Sequence, residues 1–150
     1  MIQRIQTLLL LEVLFLSVSL LFVPSFFIVA NGTNTPVSLL PLSTDQYLSS
    51  MGHFGAIAIN LFASVLSLFT IFQFKKRELQ VKLCYVLVVF FVVLILMLAF
   101  CPYLIDPEKL EIKKNTFAFI ILIICIVSSF IASRFIKRDI ELIKSADRIR

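Results

Sequence analysis

The chain has no tryptophan, one histidine, three glycines and three cysteines in 150 residues. A metal centre needs several ligands, and His53, between Gly52 and Gly55, has no companion within reach in sequence, so it reads as a surface or interfacial residue. Cys84, Cys101 and Cys125 are widely spaced, form no C-x-x-C pair and fall within or at the edges of apolar runs. Such thiols behave as small hydrophobes, and no disulfide, metal or cofactor is expected. Neither a Gly-rich phosphate loop nor a nucleophile elbow occurs, and the nine acids do not cluster with a histidine or cysteine. The chain therefore lacks the usual marks of an enzyme.

Apolar residues fill the space left by these absences. They make up 60% of the chain against 15% charged, a balance outside the range of soluble domains. Four apolar runs, residues 8–30, 54–74, 83–104 and 117–136, each reach the roughly 20 residues that a helix rising ~1.5 Å per residue needs to cross ~30 Å of hydrocarbon. They show no period-2 alternation, and in lipid the backbone must satisfy its own hydrogen bonds, so helices are expected. The predicted fold is all-α: a single four-helix transmembrane domain over 1–150, with helices near 5–30, 53–74, 81–104 and 115–149. Outer loops would occupy 31–52 and 105–114, and a cytoplasmic loop 75–80. The first run exceeds the ~7–15 apolar residues of a signal peptide, and Ile28 fits poorly before a cut at Ala30, so its retention is expected.

A net charge of +5 raises the question of nucleic acid, but the cations are not gathered on a soluble face with interleaved aromatics. They flank the apolar runs instead. The N-terminus, the middle loop and the tail together hold eleven Lys and Arg, against three in the two other loops. Cytoplasmic loops carry such an excess, which predicts both termini in the cytoplasm. The partners expected from this are the bilayer itself and anionic lipid on the cytoplasmic face, where each cation contributes ~1 kcal/mol.

Several positions stand out along the runs. Glu12 is an acid inside the first span, where a charge costs ~2.5–3.5 kcal/mol at the helix centre and is a functional candidate. Its alternatives are a shallow position near the headgroups or a protonated carboxyl. Arg134, near the cytoplasmic end of the fourth span, is the cation at a matching depth, and a Glu12–Arg134 pair is the expectation. In the second span Ala56, Asn60, Ala63 or Ser64, and Ser67 recur at helical spacing, a face suited to close helix packing. The loop after the first span holds Pro36 and Pro41, which exclude regular helix, a weak glycosylation match at Asn31-Gly32-Thr33, and an apolar patch of Val37, Leu39, Leu40 and Leu42 suited to the interface. Asp106 and Pro107 could cap and open a short interfacial helix. From Arg134 onward no Gly or Pro occurs, and Ile136, Ile140, Ile143 and Ala146 recur at helical spacing. The fourth helix should thus project ~20 Å past the bilayer. Asp139, Glu141 and Asp147 interleave with its cations, which favours docking on a protein over lying flat on anionic lipid.

Three segments carry a family resemblance: the opening Met1 to Leu8, the loop Phe74-Lys75-Lys76-Arg77-Glu78-Leu79-Gln80-Val81-Lys82-Leu83-Cys84, and the close from Asp139 to Arg150. With them the whole chain resembles a bacterial inner-membrane family of four-helix proteins classed as a domain of unknown function, family 4293. The resemblance implies four helices with both termini inside and assigns no activity. Glu12 lies outside the family's pattern. The segments that carry the likeness fall on the expected cytoplasmic face, where Gln3, Arg4, Gln6, Arg77, Gln80, Asp147, Arg148 and Arg150 could meet and, with Ile140 and Ile143, form a docking surface.

The leading expectation is a non-enzymatic inner-membrane protein, an accessory subunit or scaffold that binds another membrane protein or its own copies. An oligomeric small-molecule or ion transporter or channel using Glu12 is the alternative, since four bland helices make a poor pore alone. An integral-membrane enzyme ranks third.

Overall fold

The computed structural model describes residues 2–30, 33–39, 51–74, 76–104 and 111–147. Four helices, α1 (Ile2–Leu20), α2 (Met51–Phe72), α3 (Arg77–Leu104) and α4 (Thr116–Asp147), are accompanied by three strands, β1 (Pro24–Ala30), β2 (Thr33–Ser38) and β3 (Glu111–Lys114). Each helix packs against its neighbours in sequence, and α4 returns to α1, closing an up-and-down bundle. The strands form an antiparallel sheet in the order β2-β1-β3 at the end where α1 finishes and α4 begins.

The first helix is shorter than expected, and the reason is Pro24. Proline donates no backbone hydrogen bond and drives the residue before it out of the helical region. The helix accordingly closes in a tight turn, with the Leu21 and Phe22 amides donating to the Val18 and Ser19 carbonyls at 3.1 and 3.0 Å. The Phe26-Phe27-Ile28-Val29 stretch that follows is rich in β-formers and pairs on both sides, Ile28 standing opposite Thr35 in β2 and Ile112 in β3. Part of the expected outer loop is thus ordered strand. The expected interfacial helix beginning at Pro107 lies largely outside the described residues, and positions 111–114 form β3 instead. Leu39 is fully buried and Val37 half-buried; Leu40 and Leu42 lie outside the described residues.

Asn115 joins the sheet to the bundle. Its side-chain Nδ2 donates to the Pro24 carbonyl at 2.7 Å, its backbone amide donates to the Ser25 carbonyl at 3.1 Å, and its Oδ1 accepts from the Phe117 amide at 3.1 Å. One asparagine caps α4 and fastens its start to β1.

The small-residue face of α2 packs on α1. Asn60 is 0% exposed and donates from Nδ2 to the Ser17 carbonyl at 3.0 Å. Ser64 donates to Ser17 Oγ at 3.0 Å, and Ser67 to the Leu10 carbonyl at 3.2 Å. Hydrogen bonds of this kind hold helices together where lipid removes any hydrophobic drive between them. Leu10, Val13, Leu87, Phe91, Leu94, Leu122 and Ile136 fill the interior.

The outer surface is apolar as well. Phe15, Phe62, Val65, Val89, Phe100 and Ile123 all point outward and are exposed, an arrangement that water would not tolerate over so large an area. Three helices are long and apolar enough to cross a membrane, through Phe54–Phe72, Arg77–Phe100 and Thr116–Ser145. The apolar part of α1, Ile5–Leu20, falls short of that length, so among the described residues three candidate spans stand where four were expected.

Candidate functional site

The end of the bundle opposite the sheet gathers most of the described charge. There α3 begins at Arg77 and α4 runs on to Asp147. The Arg77 guanidinium donates to Asp139 Oδ2 at 2.5 Å, with side chains 26% and 15% exposed, and Lys144 lies 3.6 Å from Glu78 across the same two helices. The first bond is charge-assisted and partly screened from water, the stronger kind. It fixes the α4 extension against the first turn of α3, where Glu78 also complements the helix dipole.

Between these segments lies a groove of about 650 Å³. Leu79, Ile140 and Ile143 supply its apolar lining, and Lys76, Lys82 and Lys144 its cations. Ile143 is 42% exposed and the adjacent Leu142 56%. Both residues lie in the last turn of the apolar stretch Thr116–Ser145, past the roughly 20 residues that a span starting at Thr116 needs.

A second cavity, of about 330 Å³, is lined by Gln6, Gln80 and Arg77 with Thr7, Ile71 and Phe74. Gln6, Arg77 and Gln80 thus line one cavity. Both glutamines are only 5% exposed, and Gln6 Nε2 has no hydrogen-bond partner among the described residues. A buried amide left without a partner costs about 1–3 kcal/mol.

The remaining expected residues are dispersed. Gln3 and Arg4 belong to α1 and Asp147 ends α4, their side chains lying outside the described set, as do Arg148 and Arg150 entirely. Glu12 is exposed on α1 and accepts from Ser128 Oγ of α4 at 3.4 Å. Arg134 stacks its guanidinium over the Phe130 ring at 5.3 Å. The expected Glu12–Arg134 pair does not form, because Arg134 lies six residues beyond Ser128, ~9 Å further along the helix. Sequence reasoning did not single out Tyr85, whose hydroxyl accepts from Lys137 Nζ at 3.0 Å, nor the pairing of Asp139. An aromatic one turn inside a basic loop, and an acid amid tail cations, were the available signals.

Among the described residues no group of three or more His, Cys, Asp or Glu converges on a metal-sized space. The buried Cys84 and Cys125 are free thiols. No curated protein and no solved structure matches the chain. A family profile described as a domain of unknown function matches residues 2–149, and with nearly every residue included, the chain belongs to the DUF4293 family.

Proposed function

We propose that the protein is a non-enzymatic integral membrane protein, an accessory subunit or scaffold of a membrane complex that docks a partner through the groove between the start of α3 and the α4 extension. The observation that carries this reading is Ile143, 42% exposed, which with Leu79 and Ile140 gives that groove an apolar floor at the charged end of the bundle. The Arg77–Asp139 bond holds the α4 extension in place. An apolar strip with a cationic rim suits an amphipathic helix bearing acids. Lys76, Arg77, Lys82, Lys137, Arg138 and Lys144 lie at the same end. The excess of cations there supports placing this end, and both termini, on the cytoplasmic side of the inner membrane.

The test is site-specific photo-crosslinking in native membranes from position 143, with position 123 on the lipid-facing side of α4 as reference. A single protein captured stoichiometrically from 143 and absent from 123 supports the reading. Crosslinks to lipid alone from both positions would end it.

The second reading, an oligomeric transporter or channel, draws on Glu12. An exposed carboxyl in the middle of the apolar part of α1 gains by facing another protomer rather than lipid. Self-association lost together with flux in Glu12→Gln would favour it.

A further inference from the structure

We propose that the groove between α3 and α4 just below the charged end is a binding site for the phosphate of an anionic phospholipid, with an acyl chain lying against Phe130 and Ile131. This rests on α3 and α4 being membrane-embedded and not on a protein partner.

The cavity measures about 860 Å³. Its polar part holds Arg134, Lys137 and Arg138 with one acid, Glu141, and its apolar part holds Phe130, Ile131 and Phe135. Tyr85 contributes from α3. The two ion pairs among the described residues use Arg77 and Lys144, so these three cations have no carboxylate within 4.0 Å there. Their described contacts are the stacking of Arg134 on Phe130 and of Lys137 on Tyr85, plus the Lys137 hydrogen bond to the Tyr85 hydroxyl. Three cations against the single acid Glu141 leave the cavity positive.

Depth selects the ligand. Counted from Thr116 at ~1.5 Å per residue, Arg134 lies ~27 Å and Lys137 ~32 Å along α4, across the edge of a ~30 Å hydrocarbon core, while Phe130 lies ~21 Å along and inside it. Counted back from Leu104 on α3, Tyr85 lies ~29 Å along. The two counts are independent, and the 3.0 Å Lys137–Tyr85 bond places their end points at one level. Cations at headgroup depth above aromatic and aliphatic side chains at acyl depth match an amphiphile oriented along the bilayer normal. A free phosphate would leave the apolar part of the cavity uncovered. Arginine suits phosphate through paired donors, and a zwitterionic lipid would bring its own cation into an already positive site.

The experiment is native mass spectrometry of the full chain released from nanodiscs containing equal phosphatidylglycerol and phosphatidylcholine. The wild type should retain one phosphatidylglycerol per protomer. The combined Arg134→Gln, Lys137→Gln, Arg138→Gln variant should lose about a hundredfold of that preference, roughly fivefold per cation. A control carrying Lys113→Gln, an exposed lysine of β3 at the opposite end of the bundle, should retain it. Ile131→Trp leaves the charge unchanged but fills the acyl part, and should also release the lipid, which keeps the proposal testable should the triple variant misfold. Equal retention in the wild type and the folded triple variant, or equal loss in the lysine control, would overturn the site. Displacement of the lipid by millimolar inorganic phosphate would overturn the lipid assignment, as would binding undiminished by Ile131→Trp.

Discussion

Asp139 reaches back across the bundle to Arg77, 62 positions earlier, and closes a 2.5 Å bond to the first residue of α3. The tail of α4 is therefore a docked element rather than a free arm. Because the pair is only partly exposed, its worth lies above that of surface ion pairs, near the ~1.5–3 kcal/mol of hydrogen bonds to charged groups. Asp139→Asn should free the α4 extension, seen as faster tryptic cleavage after Lys137 and Arg138, while the span through Ile136 stays protected. The exchanged pair Arg77→Asp with Asp139→Arg should restore protection. Rapid cleavage in the exchanged variant, equal to that of Asp139→Asn, would mean that another contact holds the tail.

Asn115 offers a sharper separation because it makes two kinds of bond. Removing the side chain in Asn115→Ala deletes the cap on Phe117 and the bond to the Pro24 carbonyl. The expected loss is about 2 kcal/mol, combining a helix cap with one net hydrogen bond. Asn115→Asp keeps the cap and adds a favourable charge at the helix start, but cannot donate to Pro24. It should recover about half of the loss in a detergent unfolding titration. Recovery of all of it would show that the bond to Pro24 contributes nothing to holding the sheet on the bundle.

Gln6 makes the opposite prediction, a substitution that stabilises. Its amide nitrogen is buried beside Gln80 with no partner among the described residues. Gln6→Leu replaces that donor by an apolar group of similar size and should raise stability by about 1 kcal/mol. The same variant should bind its partner less well if the glutamine pair serves docking. A loss of stability instead would show that a water or a neighbouring group already satisfies the amide.

These features differ in how far the sequence discloses them. The bundle was legible because three runs are long and apolar enough that little other than a helix can carry them through lipid, and the packing face of α2 was legible because Asn60, Ala63, Ser64 and Ser67 share one side of a 3.6-residue turn. The sheet was hidden by hydrophobicity itself. Residues 24–30 continue the apolar character of α1, so the run reads as one span unless Pro24 is taken as a stop and Asn31-Gly32 as the dipeptide that favours hairpins. Gln6 and Gln80 were read as surface residues because they belong to the segments that carry the family resemblance, on the expected cytoplasmic face. Their burial follows from the way the end of α2 and the start of α3 close over α1 at the charged end, a tertiary fact that neither local segment contains. The long-range pairing of Arg77 with Asp139 is likewise invisible to periodicity, which sees one helix at a time.

Glu12 sets the strongest conflict between local chemistry and fold. It sits seven residues into the sixteen-residue apolar part of α1, exposed, with the Ser128 hydroxyl at 3.4 Å as its donor. That distance is long for an O–H···O bond, whose usual length is ~2.7–2.8 Å, so one weak donor offsets little of the cost of a charge on an apolar helix, ~2.5–3.5 kcal/mol where such a helix is centred in lipid. Glu12→Leu should accordingly stabilise the isolated protomer by about 2 kcal/mol in a mixed-micelle unfolding assay, and Glu12→Gln by less. A protomer that becomes more stable yet no longer crosslinks to its own copies in the membrane would assign the carboxyl to an interface between protomers. A protomer that becomes less stable would mean that Glu12 supports the α1–α4 contact directly, and the oligomeric reading would lose its one structural support.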